Sequence, residues 1–78
     1  MEISRDDFVI SCNGFKYSLG SEDYGFIGDF DEMSEALTAL KGWTHKEQYY
    51  PALWFINDHG NIDPIDYEGN ILTLTDEG

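Results

Sequence analysis

Within eleven positions of the run WFINDHGNIDPIDYEGNI the chain places Asp58, His59, Asp63, Asp66 and Glu68. Carboxylates beside an imidazole can ligate a metal, move a proton or form a charged contact surface. A calcium loop of the EF-hand type needs acids at positions one, three and five, Gly at six and a bidentate Glu at twelve. With Gly69 at six, Asp66 and Glu68 fit, but Pro64 falls at one and Thr75 at twelve. Zinc asks for a close set of Cys and His ligands, whereas Cys12, His45 and His59 are scattered. Nucleophilic catalysis needs a nucleophile, a base and an orienting group converging on one atom, and sequence neighbours such as Asp58 and His59 rarely do so. Paired carboxylates could serve glycoside chemistry, yet a chain this short leaves little room for a substrate cleft. His59 is therefore expected to be a turn residue tolerant of unusual φ. Asp58, Asp63 and Asp66 suit turns as well, because Asp side chains accept from nearby backbone N–H groups. No metal, cofactor or catalytic residue is expected.

Two further patterns fail on charge. Gly25-x-x-Gly28 is short for a phosphate loop and is surrounded by acids. Trp43, Tyr49, Tyr50 and Trp54 are of the type that stacks on bases, but stacking platforms sit in basic grooves. Core packing is the expected role of these rings.

Charge is the dominant feature. Sixteen Asp and Glu oppose four Lys and Arg, for a net charge of −12 over 78 residues. Such a chain repels itself, nucleic acid and anionic membranes, and solubility alone needs a magnitude of only about 2–8 in a small domain. Duplex DNA carries one charge per roughly 1.7 Å of axis, so twelve charges match about 20 Å of duplex, near six base pairs. Basic surfaces that bind nucleic acid are the natural counterpart. Small acidic phage-encoded inhibitors of repair, restriction or CRISPR proteins are similar in size and charge, though no motif here identifies a family.

The elements that must carry these acids can be read from pattern. At 41% hydrophobic and 15% aromatic residues, the composition suits one folded domain over residues 1–78. Phe8, Ile10 and Cys12 alternate with Val9 and Ser11, and Phe15, Tyr17 and Leu19 with Lys16 and Ser18, with Asn13-Gly14 between the two runs. That dipeptide predicts a two-residue hairpin turn pairing Cys12 with Phe15, Ile10 with Tyr17 and Phe8 with Leu19. A polar turn with Glu22 and Asp23 leads to YGFIG, a short strand or extended connection. GDFDEMSEALTALKGW predicts a helix, capped by Asp29 with Glu32 three residues on, and stopped at Lys41-Gly42. At 100° per residue Phe30, Met33, Ala36, Leu37 and Leu40 share one face, while Asp31, Glu32 and Glu35 share the other.

ALWFIN is apolar on both faces, as a central strand would be. Pro64 keeps IDPID out of any central strand. Gly69 marks a turn before a last strand, ILTL, and an acidic tail, TDEG. The order β-β-(β)-α-β-(β)-β predicts an α+β fold, an antiparallel sheet of four to five strands with one amphipathic helix packed on a face.

The lone Cys12 allows no internal disulfide and suits a small buried hydrophobe. MEISRDDFVI has neither a basic start nor a long apolar run, so no signal peptide is expected, and a soluble, cytoplasmic protein is. The expected function is binding: Glu22, Asp23, Asp29, Asp31, Glu32, Glu35, Asp58, Asp63, Asp66 and Glu68 meet a basic, nucleic-acid-binding partner and inhibit it. The alternative is an acidic adaptor that docks such a partner away from its nucleic-acid site.

Overall fold

The computed structural model describes residues 3–72. The order is β1 (Phe8–Cys12), β2 (Tyr17–Ser21), β3 (Gly25–Phe30), α1 (Met33–Glu47), β4 (Leu53–Ile56) and β5 (Ile62–Ile65). The five strands form one sheet in the order β3-β2-β1-β4-β5, and α1 packs on one face of it. This is the expected α+β fold, with one correction. β4 runs parallel to β1, so the sheet is mixed and not antiparallel throughout. The parallel pair requires a crossover, and α1 supplies it between β3 and β4.

Alternation decides which side chains meet the helix. Phe8, Ile10, Leu19, Leu53 and Ile65 are buried against Ala36, Leu37 and Leu40. Trp43 extends this core, its ring 4.7 Å from that of Phe8. Tyr24 and Tyr49 close the group above Trp43, at 5.2 and 6.3 Å. β4 is internal, as its two apolar faces predict, and β5 with Pro64 is outside it.

The first hairpin keeps its strands and faces but not its expected register. Cys12 pairs with Tyr17, Ile10 with Leu19 and Phe8 with Ser21. The loop therefore spans Asn13–Lys16, two residues longer than expected. Asn13 sets it: its Oδ1 accepts from the N–H groups of Phe15 and Lys16, at 3.0 and 2.8 Å. Phe15 leaves the strand and is 87% exposed. A slip of two preserves side-chain parity, so Tyr17 and Leu19 still point to the core. Gly14 has φ +94°, and a Cβ there would meet nothing within 4 Å. Gly14→Val should thus cost about 1 kcal/mol or more from backbone strain alone, and a thermal melt indistinguishable from the parent would contradict this. At Gly20 the constraint is space, since a Cβ would lie 2.8 Å from the Gly25 carbonyl oxygen, beside the bulge between β2 and β3.

The helix differs at both ends from expectation. Asp29 does not cap it, because β3 continues through Phe30 and Asp29 pairs with Ser18. Glu32 is the N-cap residue, without a side-chain capping bond, and Glu35 reaches back to accept from the Asp31 N–H at 3.2 Å. At the other end α1 passes through Gly42 to Glu47, and Gln48 takes the left-handed cap at φ 57°. Trp43 packing and the burial of Thr44 outweigh the roughly 1 kcal/mol that a mid-helix Gly costs. ILTL contributes an isolated bridge, Ile71 with Ile65, within the described residues. Residues 73–74 and the tail TDEG lie outside them.

Candidate functional site

Strand directions sort the ten candidate acids into two rims. β1, β3 and β4 point the same way and end at one rim, here called upper. Asp29 and Asp31 lie at the end of β3, Glu32 and Glu35 at the start of α1, Asp58 after β4 and Asp63 near the start of β5. The lower rim holds Glu22 and Asp23 in the β2–β3 turn, and Asp66 and Glu68 after β5. Asp31, Glu32 and Glu35 are all exposed, but only Glu35 belongs to the helix, so the expected acidic helix face is largely the turn before it.

The upper acids converge on the start of β2. Lys16 bonds Asp31 at 2.6 Å. That hydrogen bond, then the Asp31 charge, with Asp29 and Glu35 beyond it, raises the lysine above its ordinary pKa. Tyr17 is raised as well, first by Cys12, then by burial, with Asp58 and Glu32 adding to it. Five acids thus act on two consecutive residues. A groove of about 530 Å³ opens here, lined by Lys16, Asp29, Phe30 and Asp31 and by Ser34, Glu35 and Thr38 of the helix. Sequence reasoning missed Lys16 and these small helix residues. Lys16 looked like an ordinary outward strand position, and only the chain reversal at β3 shows that it stands among acids.

The lower acids are more fully engaged within the fold. Asp23 pairs with Arg5 at 3.2 Å and Glu68 with Lys41 at 2.9 Å. Asp66 organises its own turn, accepting from the N–H groups of Glu68 and Asn70 at 2.9 and 2.8 Å. The Asn70 bond is the main reason its carboxyl is held below the usual range. Two acids outside the expected set have structural partners here: Asp6 accepts from the Tyr49 hydroxyl at 2.8 Å and Asp7 from Trp54 Nε1 at 3.0 Å. The Asp6 bond pushes the Tyr49 phenol up to about 12.

The opening run of acids does not assemble as a centre. Asp58 and His59 lie 3.7 Å apart, both solvent-facing. Asn57, not Asp58, builds the turn, accepting from the N–H groups of His59 and Asn61. The positive φ expected of His59 belongs to Gly60, at +88°. Asp63 lies on β5 opposite Phe55, not in a turn. Among the described residues no three His, Cys, Asp or Glu side chains are grouped to hold a metal ion. Thermal melts in EDTA and in millimolar calcium should therefore nearly coincide. A saturable calcium shift beyond that of matched sodium chloride, which screens the charge anyway, would contradict this.

No helix among the described residues is long and apolar enough to cross a membrane. Neither the protein-family models, the curated proteins nor the solved structures contain a match to this chain.

Proposed function

We propose that this chain is a non-catalytic acidic inhibitor that binds the basic nucleic-acid-binding surface of a partner protein, presenting its upper rim in place of phosphates. The observation that carries this reading is the groove that brings Asp29, Asp31 and Glu35 together around Lys16, whose ammonium is already bonded to Asp31. Acids set along one rim, with no three grouped to hold a metal ion among the described residues, can stand in for a run of phosphates. A basic groove would meet them with release of counterions and long-range steering. Nucleic-acid-binding proteins of the repair, restriction or CRISPR kind have such grooves, and a phage-type inhibitor of one of them is the form of this proposal with the narrowest target. The single cysteine suits a reducing compartment, and we place the action in the cytoplasm.

The second reading is an adaptor that docks a basic partner away from its nucleic-acid site. It is favoured by the split of the acids, since four of the ten sit at the opposite rim. Competition separates the two. The basic protein captured from a bacterial lysate on immobilised chain is titrated with duplex DNA or RNA at two salt concentrations. Mimicry predicts mutual exclusion and binding that weakens steeply with salt. A ternary complex with nucleic acid and chain bound together rejects mimicry and supports the adaptor.

A further inference from the structure

The two edges of the sheet are not equivalent. β5 carries Pro64, and its outer side is met by the segment after it: the Leu72 N–H donates to the Pro64 carbonyl at 2.9 Å and Ile71 bridges Ile65. β3 pairs only with β2 among the described residues, leaving its other side open. Its sequence, GFIGDF, has no proline and no lysine, two of the devices that usually blunt an exposed edge. A hollow lies on each side of it. The acidic groove of about 530 Å³ borders it on the helix side. On the open face of the sheet, Val9, Ser18, Gly20 and the 68%-exposed Phe26 line a second hollow of about 350 Å³.

We propose that the β3 edge receives an extended segment of a partner protein in which basic and apolar residues alternate. It rests on the proposed function for the sign of the partner's charge, and adds how that partner is held. A strand laid against β3 would send alternate side chains to opposite faces. Those on the helix side meet Asp31 and Glu35, and those on the open side lie beside Phe26. Main-chain hydrogen bonds supply affinity, and the two hollows supply specificity. A second copy of the chain is the wrong occupant by charge, because it would bring another −12 to the same edge.

The test is an amide-resolved NMR titration of the full chain with three peptides: alternating Lys-Val, the same peptide N-methylated at every second residue, and alternating Glu-Val. The Lys-Val peptide should shift amides of residues 25–30 and 34–39 and slow hydrogen exchange along β3. N-methylation removes several backbone bonds and should weaken binding by roughly tenfold or more. The Glu-Val peptide should not bind. Equal affinity of the N-methylated peptide, or shifts confined to residues 58–68, would overturn strand docking while leaving the acidic reading standing. Glu-Val binding at β3 as tight as Lys-Val would keep the edge and overturn the basic partner. Concentration-dependent protection of β3 without peptide would make a second copy the occupant and overturn the proposal.

Discussion

Phe8→Ala should lower stability by about 3–5 kcal/mol, the usual cost of removing a buried ring and leaving a cavity. Phe8 is fully buried on an internal strand, flanked by β2 and β4. Its ring lies against Trp43 at 4.7 Å and Tyr24 at 5.8 Å. Neither neighbour can follow it into the void easily, because Tyr49 packs on both, at 5.8 Å from Tyr24 and 6.3 Å from Trp43. A domain of this length is worth roughly 4–12 kcal/mol in total, and self-repulsion from the net charge draws on that reserve. The urea midpoint should fall by about 3–5 M at a slope near 1 kcal/mol per M, or the transition should disappear altogether. Phe15→Ala is the control, since that ring is 87% exposed, and it should change stability by no more than about 0.5 kcal/mol. Equal midpoints for the two variants would mean that the core is not where the structure places it.

Those two phenylalanines also show what sequence can and cannot specify. Both fit one alternating pattern around Asn13-Gly14, and pattern alone pairs Phe15 with Cys12 and Phe8 with Leu19 across a tight turn. The Asn13 side chain decides otherwise by binding two backbone N–H groups of the loop. Face was legible because a period of two survives a slip of two, while register was not. The helix was legible in its buried stripe of Ala36, Leu37 and Leu40, which local spacing dictates. Its ends were not, because they are set by distant partners: Ser18 holds Asp29 in β3, and Phe8 receives Trp43 beyond Gly42. The parallel pairing of β1 with β4 has no local signature at all. Hence the candidate acids could be named one by one, but their division into two rims follows from strand direction and could not.

That division makes charge position testable apart from charge amount. Consider Asp31→Asn, Glu32→Gln, Glu35→Gln and Asp58→Asn together, against Glu22→Gln, Asp23→Asn, Asp66→Asn and Glu68→Gln. Each set makes the net charge of −12 less negative by four, so long-range attraction to a basic partner falls equally on average. Only the first set strips four of the six acids from the rim that carries Lys16. Neither should unfold the chain, because exposed carboxylates contribute little to the core and their removal relieves repulsion. The lower set also releases the Arg5 and Lys41 partners, so it is the more exposed of the two to a small loss of stability. Electrostatic steering changes association by 10- to 1,000-fold. The upper set should therefore slow association with the captured basic protein by roughly tenfold or more at low salt, with a smaller change in dissociation. The lower set should slow it only by the few-fold that net charge alone accounts for. Stopped-flow association at low and high salt, with melts as the folding control, reads both effects. Slower association in the lower set than in the upper would move the interface to Glu22, Asp23, Asp66 and Glu68. Equal slowing would leave net charge, and no particular rim, as the attractor. A tenfold gap at low salt that closes at high salt is the result the upper-rim interface requires, because a Debye length near 3 Å at 1 M salt screens rim charges from all but their immediate contacts.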